Sequence, residues 1–318
     1  MSFKFSFTHG KTIAYIKGGQ YNSNIIRYYN TLDEKEIEDN ESVNNLPVNK
    51  TDIIGLNLYR SLGKRVSFAK LNKINDYINT DSIPEYEDLK TKKFYFKCQN
   101  EYDKLKDKEI ILNDGVLYPT FDITAEREVF YIAGMAGSGK STYISYLMKS
   151  YNILYPDRDI ILFSNKTIEP AFDNIKYTRI NMNSELYENP LTLGELSNKL
   201  IIFDDYEYGT DLRVVKALFA TANLILFQGR SSNIHMIYVA HLANNYKETR
   251  GILAEMTSIT VFPQMTTPYS LKYLFTKYFG FDKEAVNKIF KLPSRWVTIY
   301  KSPFIITYSG GAYIMQNS

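Results

Sequence analysis

Cysteine is almost missing from this chain: Cys98 is the single one in 318 residues, and the three histidines, His9, His235 and His241, are scattered. A lone thiol cannot close an internal disulfide, and without cysteine partners those histidines cannot complete a Cys/His zinc site. Disulfide scaffolds and zinc modules are therefore excluded, and a reducing compartment is expected. Long hydrophobic runs are missing too. No stretch approaches the ~18 apolar residues that a membrane-crossing helix needs, and the start, MSFKFSFTHGK, lacks the basic-then-apolar layout of a secretion signal. The chain is expected to be soluble and intracellular. Excess charge is small, 38 Lys+Arg against 35 Asp+Glu. What is abundant is core material: 44% of residues are hydrophobic, which rules out wholesale disorder and allows one large domain or two ordinary ones. The 27 tyrosines read as the codon bias of an AT-rich genome rather than as a base-stacking surface.

Residues 1–125 carry 18 basic and 18 acidic side chains, whereas the segment from 265 onward has 7 basic against 2 acidic. This C-terminal excess permits contact with a phosphate backbone without demonstrating it. Residues 1–125 read as an accessory region: a strand pair at Lys4 to Phe7 and Thr12 to Lys17, then an acidic, Asn-rich loop over 31–50 with little apolar periodicity. Residues 53–110 alternate basic and apolar positions with no motif tied to chemistry. From 126 to 318 the pattern becomes apolar strands alternating with helices, the signature of a parallel α/β sheet. Strands are predicted at 129–133, 160–163, 177–180, 200–203, 234–240 and 259–262, with helices at 139–151, 211–227, 246–255, 269–279 and 283–291. The end, WVTIYKSPFIITYSGGAYIM, reads as two or three antiparallel strands closing the sheet or covering its edge.

The sharpest motif is Gly134-Met135-Ala136-Gly137-Ser138-Gly139-Lys140-Ser141-Thr142, a full GxxxxGK[ST] pattern between the strand VFYIA and a helix. Its glycines let the backbone wrap a phosphate, and the first N–H groups of the helix point at the anion, where the helix dipole favours it. Lys140 reaches the β- and γ-phosphates, and Ser141 is placed to hold Mg²⁺. No guanine-reading NKxD motif follows, because Asn165-Lys166 lacks the Asp, so ATP is the expected nucleotide.

Sixty-four residues after Lys140, the strand Leu200-Ile201-Ile202-Phe203 ends in Asp204-Asp205. This is the Walker B layout, with Asp204 as a magnesium ligand and Asp205 as the carboxylate that orients or deprotonates the attacking water. Glu207, two residues beyond the strand end, is its rival. Next comes Gly229-Arg230-Ser231-Ser232-Asn233-Ile234, leading into a strand that ends at His241. A strand lying between the P-loop and acidic strands would aim His241 at the γ-phosphate as a sensor; His235, inside that strand, reads as structural.

In this order the motifs resemble the FtsK/HerA superfamily of P-loop ATPases, and within it the poxvirus-type genome-packaging ATPases of large DNA viruses. Phe163-Ser164, Tyr246-Lys247 with Arg250, and Ser294-Arg295-Trp296-Val297 add to the resemblance, which covers residues 126–315. The family strand usually ends in Gln where this chain has His241. The resemblance implies a RecA-like sheet with an additional strand, an N-terminal accessory region and a C-terminal β-hairpin. It also implies a homo-oligomeric ring that couples ATP hydrolysis to moving double-stranded DNA into a capsid, with capsid or portal-vertex proteins as partners, in the host cytoplasm or the virion. A cation supplied to the transition state would be Arg230 or Arg250, acting across a subunit interface or as a sensor in its own subunit. The competing readings are a small-molecule kinase and a non-hydrolysing nucleotide-gated virion scaffold. On all three readings Lys140→Ala should abolish ATP binding, measured by titration calorimetry, because it removes the P-loop cation from the β- and γ-phosphates; wild-type affinity in the variant would mean that the loop is not a phosphate site.

Overall fold

A computed structural model describes residues 3–32, 67–80, 82–105, 108–243 and 249–315. Its fourteen strands among the described residues are β1 (Phe3–Ser6), β2 (Lys11–Lys17), β3 (Ile25–Asn30), β4 (Glu109–Ile111), β5 (Val116–Pro119), β6 (Val129–Ala133) and β7 (Ile160–Ser164), followed by β8 (Thr178–Ile180), β9 (Leu200–Asp204), β10 (His235–Ala240), β11 (Ser258–Val261), β12 (Val297–Tyr300), β13 (Ile305–Tyr308) and β14 (Gly311–Ile314). Ten of them form one sheet, in the order β4-β14-β13-β12-β11-β6-β10-β9-β7-β8. From β11 to β8 the neighbours run parallel, and from β12 to β4 they are antiparallel.

The parallel centre explains the unbroken apolar runs of the sequence. β6, β9 and β10 are buried along their whole length because helices cover both faces, so neither face needs polar residues. Side chains nevertheless alternate between two cores. Val129, Tyr131 and Ala133 of β6 pack with the helix Leu212–Gln228 and the helix Arg250–Glu255, whereas Phe130 and Ile132 pack with the helix Lys140–Leu154. Strand β10 lies between β6 and β9, which makes this the RecA-like sheet with an additional strand.

The predicted elements of residues 126–318 are present with small shifts at their ends. The helix predicted over 246–255 starts at Arg250 among the described residues, and 244–248 lie outside them, as do Tyr246 and Lys247. The predicted helix 269–279 is α-helical over Pro268–Tyr273 and continues as a π-helix over Leu274–Tyr278. The C-terminal strands number three and extend the sheet as a meander rather than closing it.

The first third differs more. The expected strand pair does not form: β1 pairs with β3, and β3 pairs with β2, giving a four-stranded sheet β1-β3-β2-β5. Strand β3, IIRYYN, was not anticipated; it folds back on β2 through the turn at Gly18 to Asn24 and so takes the edge that β1 would have used. Residues 33–50 of the acidic loop and 53–66 lie outside the described residues. The motif-free stretch beyond them forms two helices, Phe68–Asn79 and Leu89–Leu105. Strand β4 then joins the large sheet beside β14, and Phe5, Ile13, Ile16, Ile26 and Leu117 share a core with Tyr300, Ile305, Ala312 and Ile314.

Where the small sheet meets the large one, Glu128 is buried beside Asp122, whose N–H donates to its carboxylate at 2.8 Å. Burial raises the Glu128 carboxyl to about 8, with the Asp122 charge adding to the rise. The Glu128 N–H donates to Nδ1 of His235, a ring buried among Phe121, Tyr151 and Tyr155 and pushed down to about 4 by burial. His235 is thus a neutral core residue. A carboxyl raised on folding gives the folded state more protons than the unfolded one between its two pKa values, so stability falls as pH rises through that window. Neutral His235 acts oppositely, but only below its unfolded pKa of 6.5. Between pH 6.5 and 8 wild type should therefore lose stability, by at most about 1.4 kcal/mol per pH unit, and Glu128→Gln should not. Parallel denaturant melts would reject this account of Glu128 if the two proteins kept the same slope.

Candidate nucleotide site

Strands β6, β10, β9 and β7 end together because their parallel registers pair Ala133 with Ala240, Val239 with Asp204, and Ser164 with Asp204. Each then turns out of the sheet, and the four turns build the site. After β6, Gly134 N–H donates to the Ala240 carbonyl, tying the start of the P-loop to the end of β10. A Cβ at Gly134 would stand 2.7 Å from both the Phe262 ring and Ser138 Oγ, so only glycine fits there. Gly139 sits at φ 110°, a left-handed conformation that lets the loop enter the helix Lys140–Leu154. Ser138 Oγ is buried and without a hydrogen-bond partner among the described residues.

Lys140 Nζ donates to the carbonyls of Gly134 (2.6 Å) and Met135 (3.1 Å). Burial lowers its pKa, against the pull of Asp205 and Asp204. Ser141 Oγ donates to Glu169 Oε2 at 2.9 Å. From the far end of the chain Arg295 reaches the outside of the loop, with Nε 2.8 Å from the Ser138 carbonyl and Nη2 2.8 Å from that of Gly137.

Opposite the loop stand the two aspartates. Asp204 ends β9 and is 1% exposed. Burial raises its carboxyl and the Asp205 charge adds to this, while Lys166 and Lys140 oppose both. Asp205 occupies the left-handed region at φ 53°, a conformation Asp tolerates better than most residues, and this turns its carboxylate away from the strand line. Asn165 Nδ2 holds the turn by donating to the carbonyls of Asp205 (2.8 Å) and Tyr206 (3.3 Å). Asp205 lies between two nitrogens, Lys166 Nζ at 2.9 Å from Oδ2 and His241 Nε2 at 2.8 Å from Oδ1. Burial works against its charge, but Lys166, His241 and Lys140 together outweigh it and hold the carboxyl below its ordinary value. Asp205 is therefore an ionised acceptor in a half-buried place. Glu207 is engaged elsewhere: Tyr238 donates to it at 2.6 Å, and the Tyr206 and Tyr238 hydroxyls are 2.9 Å apart.

The residues present fit magnesium. Asp204 Oδ2 is buried without a hydrogen bond among the described residues, and Ser141 supplies a hydroxyl at the helix start, the hard oxygen donors such a cation takes.

Of the residues singled out from sequence, Gly134 to Thr142, Asp204, Asp205 and His241 come together. The two arginines do not join them. Arg230 precedes β10 and pairs with Glu126, which precedes β6, at 2.7 Å. It therefore lies at the opposite edge of the sheet, about 17 Å of strand away from the P-loop, not on the nucleotide face where it was expected. Arg250 opens its helix beside the helix Leu212–Gln228, with Gly251 against Asn223 and Phe227. Three other residues were missed: Lys166, Glu169 and Arg295. Arg295 lies in a stretch that adds to the resemblance, but nothing local gives any of the three a role at the site, because strand register and chain return bring them in.

No family model matches the chain. Among solved structures it is similar to the genome-packaging NTPase B204 of Sulfolobus turreted icosahedral virus 2 in complex with ATP-γ-S (TM-score 0.40, 15% identity, 58% of this chain and 97% of that one). It is also similar to the cytoplasmic domain of the type VII secretion ATPase EccC of Thermomonospora curvata (TM-score 0.42, 12% identity, 66% of this chain and 29% of that one). In sequence it is 32% identical over 254 residues to the uncharacterized protein V3 of Sputnik virophage, covering 78% of this chain and 98% of that protein. At that identity, over nearly the whole relative, the chain belongs to the family of the Sputnik virophage V3 protein.

Proposed function

We propose that the chain is a magnesium-dependent ATPase of the FtsK/HerA type that moves double-stranded DNA, in the setting of viral genome packaging. The observation that carries this is the acidic strand end facing the P-loop: Asp205, ionised between Lys166 and His241, stands across from Lys140 on a sheet whose added strand β10 supplies the histidine. In this reading the P-loop N–H groups and Lys140 bind the phosphates, and Ser141 and Asp204 hold magnesium, which when bound neutralises developing charge on the phosphates. Asp205 accepts a hydrogen bond from the attacking water and aligns it. His241 Nε2 stands 2.8 Å from the second oxygen of Asp205, where the superfamily usually has Gln. A kinase needs a second substrate pocket and an Arg-rich lid over the phosphates; the cation at the acidic strand end here comes from the sheet itself. Residues 126–318 would carry the ATPase and 1–125 an accessory role, in a homo-oligomeric ring that docks on capsid or portal-vertex proteins.

Phosphate release should rise on adding double-stranded DNA, with DNA affinity falling steeply with salt and little dependence on sequence. Asp205→Asn should keep ATP binding and lower that release by about 10²-fold or more, whereas Glu207→Gln should cost far less because Tyr238 already occupies that carboxylate. A stalled Glu207→Gln beside an active Asp205→Asn would move the water-aligning role two residues on.

An arginine completing a neighbour's site would be Arg230 or Arg250. Arg230 sits too far from its own P-loop to act in cis, and its side chain is 75% exposed. Replacing the residue that acts should spare ATP binding and lower turnover by roughly 10³-fold. Rings mixed from that variant and Asp205→Asn should recover part of the activity, since some sites are then complete. Mixed rings of both arginine variants that assemble and stay inactive would exclude a shared site.

A further inference from the structure

Strand β7 delivers a second lysine to the site. Its last residue, Ser164, stands beside Asp204 in register, and the chain leaves the strand under tight control. The Lys166 N–H donates to Ser164 Oγ at 3.2 Å, the Arg179 guanidinium donates to the Lys166 carbonyl, and the neighbouring Asn165 is tied to the turn after β9. A backbone held at each side aims the ammonium inward. Lys166 Nζ lies 2.9 Å from Asp205 Oδ2, 3.5 Å from Glu169 Oε2 and 3.7 Å from Asp204 Oδ2.

The charges around this point do not balance for a nucleotide. Three carboxylates, of Asp204, Asp205 and Glu169, face two ammonium groups, of Lys140 and Lys166. A triphosphate entering the P-loop brings further negative charge, and its terminal phosphate is the part that lies toward the acidic strand end. Lys140 is on the loop side, bonded to Gly134 and Met135, and Lys166 is on the opposite side. Magnesium held by Ser141 and Asp204 would offset part of the repulsion between the last phosphate and the two aspartates, and Lys166 is the ammonium group that stands on that side beside them. At 38% exposure, the Lys166 side chain also has room to leave Glu169 for a better acceptor.

We propose that Lys166 is the in-chain cation that contacts the terminal phosphate of a bound nucleoside triphosphate and so sets the preference for triphosphate over diphosphate. The assignment rests on the ATPase reading and adds to it a specificity-determining residue from the subunit's own sheet.

The test is calorimetric titration of the full chain with ATP-γ-S and with ADP, each with Mg²⁺ and with EDTA, for wild type, Lys166→Met and Lys166→Arg. Wild type should bind ATP-γ-S more tightly than ADP. Lys166→Met should lose about 10- to 100-fold in ATP-γ-S affinity, the loss expected for one charge-assisted phosphate contact, and leave ADP affinity unchanged. Lys166→Arg should keep most of the preference. A lysine that only braces the acidic strand end would shift both nucleotides alike, so an unchanged ratio in Lys166→Met overturns the proposal. A ratio that changes with Mg²⁺ but not in EDTA would assign the effect to the metal ligands and overturn it too. Wild type binding both nucleotides equally would also remove the terminal-phosphate contact, whereas wild type binding neither overturns the ATPase reading itself. Should Lys166→Met unfold below the titration temperature, Lys166→Gln, which keeps a polar head on a shorter stem, carries the same comparison.

Discussion

Two adjacent carboxylates at the end of a buried strand are the constraint around which the site is arranged. Taking a charge out of water costs several kcal/mol, and Asp204 and Asp205 also repel each other. The fold meets this with groups from every neighbouring strand: Lys166 beyond β7, His241 beyond β10 and Lys140 beyond β6. The common height of the parallel strand ends is what allows one small volume to collect all of them. The sharp left-handed turn at Asp205, clamped by Asn165, separates the two carboxylates, so that one stays buried on β9 and the other is held between two nitrogens.

That division has a chemical meaning. Asp204 keeps an oxygen free of hydrogen bonds and suits a hard cation. Asp205 also has an oxygen, Oδ1, without a hydrogen bond among the described residues, but nitrogens stand 2.9 Å and 2.8 Å from its two oxygens, which suits an ionised acceptor. Neighbours in sequence, they are made unlike by a change of backbone conformation between them and by what the adjoining strands supply. Glu207, two residues on from Asp205, is excluded from the same work by the Tyr238 hydroxyl.

Much of this was legible in the sequence because it is local. The P-loop glycines, the lysine after them and the apolar strand ending in two aspartates each report their structure within a few residues, while the place of β10 between β6 and β9 was implied by the family resemblance. What was not legible depends on pairing across the chain. Lys166 looks like an ordinary surface lysine until β7 is placed beside β9, and Arg295 reaches Ser138 across 157 positions. Strand β3 escaped notice because IIRYYN keeps a single fully buried side chain, Ile26, and shows little alternation. The expected location of Arg230 failed for a related reason: a residue before a parallel strand and one after it lie at opposite edges, and reading the turn without its strand direction loses that distinction.

The ends of the large sheet carry a mechanical consequence. Both outermost strands, β4 and β8, are three residues long, and β4 is an early part of the chain that returns to cover β14. Short or covered edges offer few free backbone groups for another copy to extend by strand addition. In the ring proposed above, the large sheet would favour contacts through helices, loops and side chains, which can be remade at low cost, over a shared backbone ladder that would lock neighbours at one angle.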